Sequence, residues 1–271
     1  MTPEKEQLLD EALKYYEQEL TKNPNNFAVI CGIASVYKYK EDFEKAIEYL
    51  EIAHKQKPDD LWTLWELAYV NAECARDFEK ALLYVDKYLS IKPDETELYF
   101  RRAYVLSGLG RKKEAVEWYK KYLASNPDNR VAPLVNISQI EIGLKDWENA
   151  EKHVNEGLTY NSTSTYLLGS KLDILIHKKQ YDEAEKLAKS FTHTKYLSYW
   201  ALAEIEYLRG NKEKSEEYFE LSKKDAQEYY DKYCNGRDID MYDNSATCRN
   251  QHEHVKNFEK NKTEFILNPE S

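Results

Sequence analysis

Apolar residues fall at helical spacing in one block after another, and each block is answered by a second across a short polar turn. Ile30, Ile33, Ala34 and Tyr37 form one such face, followed by Ala46 and Leu50 beyond the turn. Leu64, Leu67 and Ala68 are followed by Ala81 and Val85, and Tyr99, Ala103 and Leu106 by Ala115 and Tyr119. Steps of three and four place such residues on one side of a helix. The pattern predicts paired helices along the chain and no sheet.

The pairs recur at a near-constant interval. Ala12, Ala46, Ala81, Ala115, Ala150 and Ala184 are spaced 46−12 = 34, 81−46 = 35, 115−81 = 34, 150−115 = 35 and 184−150 = 34, and Ser215 takes the next place at 215−184 = 31. Pro24, Pro58, Pro93 and Pro127 keep the same interval, 34, 35 and 34. Self-similarity at this period signals stacked helical hairpins rather than a globular enzyme core.

Each second helix opens on a related phrase: DFEKA at Asp42 to Ala46 and at Asp77 to Ala81, DWENA at Asp146 to Ala150, and looser copies before Ala115, Ala184 and Ser215. The aspartate, or Asn211, is placed to cap the helix by accepting from an orphan backbone N–H. The aromatic after it (Phe43, Phe78, Trp147) is expected to point into its own hairpin. The alanine is small where two helices cross. A second small residue, Ala34, Ala68, Ala103, Ser138 or Ala203, precedes the hairpin alanine or serine by 12, 13, 12, 12 and 12 residues. In the fifth repeat Gly169 or Ser170 is expected to hold this place, with a longer turn after it.

This pattern resembles the tetratricopeptide repeat, carried by Ile30, Ile33, Ala34, Tyr37, Ala46, Leu50 and Pro58 in one copy and by the matching residues of the next two. The resemblance covers about residues 4 to 225. It implies an all-α, right-handed superhelical solenoid of antiparallel hairpins, with about six repeats and an N-terminal capping helix at Glu4 to Leu20. Residues 1–234 are assigned to the solenoid and 235–271 to a C-terminal tail. Departures occur: no proline ends the fourth, fifth or sixth repeat, so the later helices are expected to be longer or less regular.

Charge narrows the partners. The 49 acidic residues outnumber the 39 basic ones, for a net charge of −10, which disfavours a phosphate backbone as ligand. No run of 18 apolar residues is present to span a membrane. The N-terminus, Met1 to Glu6, has no apolar signal core, and four cysteines are ordinary usage, so a cytoplasmic protein with free thiols is expected.

No phosphate loop, dinucleotide fingerprint, HExxH or nucleophile elbow is found, so neither catalysis nor a cofactor is expected. Cys234, Cys248, His252 and His254 supply four soft ligands, but their spacing lacks the tight CxxC or HxxxH pair of a zinc finger, and no metal is assigned.

The inner surface is the better candidate. In stacked hairpins the first helices line a concave groove. Residues three before, two before and one after the small residue are expected to face it. These are Trp65, Glu66 and Tyr69, with Trp62 one turn earlier; Phe100, Arg101 and Tyr104; Asn136 and Gln139; and Trp200 and Glu204. Trp65, Tyr69, Phe100 and Tyr104 would form a stacked patch, and Glu66, Glu97 and Glu204 an acidic rim suited to basic or apolar side chains of a protein or peptide. The same rings can equally fill space between hairpins. Family members that clamp a chaperone's terminal carboxylate present Lys and Asn, then Asn, then Lys and Arg. Here those places hold Cys31 and Ser35, Glu66, Glu97 and Arg101, and Arg101 alone fits.

The expectation is a non-catalytic scaffold. The alternatives are a regulatory or sensory subunit, which a buried polar pocket would favour, and an accessory domain of an enzyme complex, which an apolar patch on the tail would favour. In Glu213 to Tyr233, Tyr218, Phe219, Leu221 and Tyr229 are expected to face inward. Gln251 to Glu264 is expected to be helical, with Val255 and Phe258 packing back on the array.

Overall fold

The computed structural model describes residues 3–125, 127–191, 195–233 and 246–267. Among these, every regular element is helical, and the helices pair as antiparallel hairpins. The chain divides into two compact units, Met1–Pro133 and Leu134–Ser271.

In the first unit α1 (Pro3–Lys22) precedes three hairpins: α2 (Phe27–Tyr39) with α3 (Phe43–Gln56), α4 (Leu61–Tyr69) with α5 (Phe78–Ile91), and α6 (Thr96–Gly108) with α7 (Lys112–Ala124). Then follow α8 (Val131–Gly143) with α9 (Trp147–Tyr160), α10 (Thr165–His177) with α11 (Tyr181–Lys189), and α12 (Lys195–Leu208) with α13 (Lys212–Tyr233). The tail forms α14 (Ala246–Leu267), so Gln251 to Glu264 is helical. Of the later hairpin helices only α11, with 9 residues, and α13, with 22, depart from the usual 13 or 14; α8, α9 and α10 have 13, 14 and 13, and α4 in the first unit is as short as α11.

The hairpin alanines from Ala46 to Ala184 are 0% exposed, and the small residues opposite them are equally enclosed. Asp42, Asp77 and Asp146 accept from the backbone N–H three residues on, at 3.2, 3.0 and 3.4 Å, which satisfies one orphan donor at each helix start. At Asn211 the amide NH2 donates to Glu206 Oε2 at 2.7 Å.

The turns inside the hairpins share one construction. Glu41, Arg76, Gly110, Lys145, Lys179 and Gly210 all take positive φ, between 56° and 88°. The N–H of the next residue then closes on a carbonyl of the first helix, as from Asp146 to Glu141 at 2.8 Å. Four of the six are not glycine, and a side chain in the left-handed region costs about 1–2 kcal/mol. Glycine's greater freedom in the unfolded chain offsets part of the gain from replacing one. Lys145→Gly is therefore expected to stabilise the protein by roughly 0.5 kcal/mol, read as a rise in the thermal midpoint. A fall would show that Lys145 contributes more than its backbone angle costs.

Two irregularities have local causes. Ala68 precedes Ala81 by 13 residues where other hairpins have 12. The extra residue is absorbed in a π-helical turn, Val70–Ala75, at the end of α4. Asp77 N accordingly reaches back six residues to Asn71 O, at 2.9 Å, where Asp42 N reaches back five to Tyr37 O. The buried Asn71 side chain donates to Leu67 O at 2.8 Å inside that turn.

The second lies in the fifth repeat. The expected long turn is absent there: Gln180 N closes on Leu175 O, five residues back, at 2.9 Å. Counting 12 back from Ala184 puts Leu172, not Gly169 or Ser170, in the small-residue place. Leu172 shares one core cluster with the small Ala184 and Ala188 of α11.

Two of the aromatics at second-helix starts make contacts beyond their own hairpin. They reach the end of the following repeat's first helix, while Phe78 also packs on a cluster that includes Ala72 and Ala81 of its own hairpin. Phe78 lies against Gly108, where an added Cβ would sit 2.6 Å from the ring, and Trp147 stacks on His177 with centroids 4.1 Å apart. Both partners are 30 residues on (108−78 and 177−147). A residue at a second helix's start sits level with the next first helix's end, which is why it bridges repeats.

In α13, Ser215, Phe219, Ser222 and Ala226 are the buried face and Tyr218 and Tyr229 are half-buried, while Leu221 is 37% exposed. A step of two from Phe219 turns a side chain to the opposite side of a helix, so Leu221 could not join that face. α14 packs on α12 and α13 through Phe258, whose ring lies 5.3 Å from Trp200 and 6.4 Å from Phe219. Among the described residues no helix is long and apolar enough to cross a membrane.

Candidate functional site

Two places hold most of the expected inner-face residues, one in each unit, and Asn136 and Gln139 line neither. In Met1–Pro133, Trp62 is the open ring, 40% exposed. Trp65, Tyr69, Phe100 and Tyr104 are half-buried. Trp65 packs edge-on against Tyr88, Phe100 against Tyr119 and Tyr122, and Tyr104 against Phe78. Trp65 and Phe100 thus lie partly in the hairpin interior, and the open patch is narrower than four free rings.

Arg101 knits this surface together. Its guanidinium lies 4.7 Å from the Trp65 centroid and 5.1 Å from that of Tyr69, a cation–π sandwich of side chains from adjacent repeats. Burial lowers its pKa while Glu73, Tyr69, Glu66 and Glu97 oppose the shift, and an arginine stays charged under such a shift. Its Nε is buried with no acceptor. A buried donor without a partner is costly, so the contacts of this guanidinium are with the two rings.

The acidic rim is weaker than the composition suggests. Lys38 Nζ donates to Glu66 Oε2 at 2.7 Å, so Glu66 is already neutralised by the preceding repeat. Arg76 Nη1 donates to the Tyr104 hydroxyl at 3.0 Å.

In Leu134–Ser271, Asn136 is half-buried and Gln139 exposed. Trp200 is held between Phe219, at 5.1 Å, and Phe258. It and Glu204 line a cavity of about 510 Å3. α10 contributes Asp173, Ile176 and His177 to the wall, followed by Lys179 in the turn and Tyr181 at the start of α11. Ile142, Trp147 and Leu208 add apolar surface, and α14 closes one side with Asn261, Glu264 and Phe265.

Two carboxyl groups look into this space. Trp200 Nε1 donates to Glu204 Oε1 at 2.6 Å. Burial, aided by the nearby negative charge of Asp173, raises the Glu204 pKa to about 8 despite that bond. Asp173 is exposed to solvent as a residue, while the protein packed about its carboxyl raises its pKa to about 7. The Asp173 charge acts on Glu204, while burial alone acts on Asp173.

Glu204 was expected on the inner face, but Asp173 was not. With Leu172 as the marker, Asp173 stands one after it, the same place as Glu204 beside Ala203. The signal was available in the count back from Ala184, and Gly169 and Ser170 obscured it.

Cys234 lies outside the described residues, as do the side chains of Cys248, His252 and His254. Among the described residues no three His, Cys, Asp or Glu side chains are grouped to hold a metal ion.

Antiparallel hairpins in a 34-residue register, with candidate surfaces on the first helices, define a helical-repeat protein. The chain is a tetratricopeptide repeat protein: the tetratricopeptide repeat family model matches residues 28–60 and 96–129. No curated protein matches it. Among solved structures, a tetratricopeptide repeat protein from Parabacteroides merdae aligns with a TM-score of 0.62 and 16% identity, over 89% of this chain and 92% of that one. PilW, a type IV pilus biogenesis factor, aligns with a TM-score of 0.60 and 19% identity, over 72% and 91%. YrrB, described as having an unusual peptide-binding site, gives 0.51 and 17%, over 65% and 92%. At these identities the likeness is one of fold.

Proposed function

We propose that the chain is a non-catalytic cytoplasmic scaffold that holds a protein or peptide against the inner faces of α4 and α6. Proteins of this family generally mediate protein–protein interactions and are typically non-catalytic. The observation that carries the reading is Arg101, laid across Trp65 and Tyr69 with a buried Nε lacking an acceptor, beside the exposed Trp62. Part-exposed aromatic rings on neighbouring first helices suit an apolar anchor of a protein or peptide segment. Because Lys38 already meets Glu66, the anchor is apolar rather than basic.

The partner is to be captured from the native host and identified by mass spectrometry. Trp62→Ala and Tyr104→Ala are then expected to weaken its binding by about 1–4 kcal/mol each, with little loss of stability for the exposed Trp62. If both variants bind as the parent does while Tyr104→Ala melts early, these rings belong to the core and the reading fails.

A further inference from the structure

The cavity in Leu134–Ser271 combines features that the scaffold reading does not use. We propose that it binds an alkylammonium group, the cationic head between Asp173 and Glu204 and the aliphatic stem against the apolar wall. This site stands independently of the surface on α4 and α6, because it lies wholly within the other unit.

The case rests on what each wall offers. Glu204 is aimed by the Trp200 indole, 2.6 Å away. Asp173 has no hydrogen bond or ion pair from any described residue, and burial alone acts on it. Among the described residues one protein donor, the Trp200 indole, serves the pair, and the remaining acceptor sites, which water meets at the exposed Asp173, are open to a cation. The Trp147, Trp200 and Phe265 rings border the same space. A ring face within about 6 Å attracts an organic cation, more so where water is thinned out. Ile176 and Leu208 supply surface for methylene groups. A divalent metal is a poor occupant, since no set of three ligating side chains is assembled among the described residues.

The remaining ionisable groups facing the cavity are of both signs. Lys179 is the cation, His177 is stacked on Trp147, Tyr181 is a neutral phenol, and Glu264 adds a third carboxyl. Carboxyls outnumber the lysine. Because both Asp173 and Glu204 are raised toward neutrality, the empty pair holds protons near pH 7. An entering ammonium displaces them, so binding releases protons and strengthens as pH rises through the range from about 7 to about 8.

The chemistry has two natural sources, a lysine side chain of a protein or a free amine, and one experiment separates them. The full-length protein is titrated by calorimetry with 1,5-diaminopentane and with a lysine tripeptide blocked at both ends, using 1-pentanol as the uncharged control. One saturable site for an ammonium is expected, with no binding of pentanol. The heat near pH 7 should vary with the buffer's ionisation enthalpy, and affinity at pH 6 should be at least ten-fold weaker than at pH 8. Asp173→Asn and Glu204→Gln should each cost at least ten-fold. Tighter binding of the blocked peptide assigns the head to a partner's lysine, and tighter binding of the diamine assigns a free amine. Absence of saturable binding by both overturns the proposal, as does undiminished binding by folded variants. Should a variant fail to fold, the parent alone decides: affinity equal at pH 6 and pH 8 overturns it.

Discussion

Replacing His153 with alanine is expected to destabilise the protein by about 3–5 kcal/mol. His153 and Glu141 join α9 to α8 in the interior, 8% and 4% exposed, with Nδ1 2.7 Å from Oε2. Loss of the ring strands a buried carboxyl and opens a void beside it. The other hairpins show what else fits there. The equivalent places, three after the small residue and three after the hairpin alanine, hold Tyr37 and Tyr49, stacked at 5.7 Å, in the first and Leu175 and Leu187 in the fifth. Glu141→Leu with His153→Leu should therefore recover most of the loss, since an apolar pair carries no desolvation cost. Urea unfolding followed by circular dichroism measures both. A single change costing under about 1 kcal/mol, or a double no better than the single, would refute the account.

Phe258→Ala should cost a similar amount, about 3–5 kcal/mol. The ring is 1% exposed and meets Trp200, Phe219 and Ala203. The ion pairs Lys223–Glu259, at 2.5 Å, and Lys262–Glu216 lie at the rim and cannot hold α14 alone, because exposed pairs are worth little. In our reading α14 is the cap that covers the last hairpin, as solenoid ends require. Phe258→Ala should then open the tail to limited proteolysis as well as lower the thermal midpoint. Leu267→Ala, at a residue 71% exposed, is the control and should do neither. If the tail of Phe258→Ala resists cleavage as the parent does, the ring is not what holds α14.

Much of the fold was legible because its determinants are local. Caps, turns and the buried alanines depend on spacing within one hairpin, and Asp42, Asp77 and Asp146 cap where the phrase predicts. What lies between repeats was less legible. Trp147 finds His177, Lys38 finds Glu66 and Arg101 finds Trp65 through the rotation of one hairpin against the next, which spacing within a helix does not report. The cavity depended on this most. Its second carboxyl sits in the one repeat whose marker residue is large, and a search for small residues passes over Leu172.

The widened turn after Tyr69 bears on how such a chain tolerates change in length. Each residue added to an α-helix turns everything after it by about 100°. One inserted residue would ordinarily swing the rest of α4, and every hairpin beyond, out of phase with what came before. Here the insertion is discharged within Val70–Ala75, and Asp77 still caps α5 as Asp42 caps α3. The accounting of phase is settled locally, so Arg101 on the next first helix still falls opposite Trp65 and Tyr69. Single-residue gains or losses at the end of a first helix are thus a form of variation this architecture can accept while the spacing of its inner face is preserved.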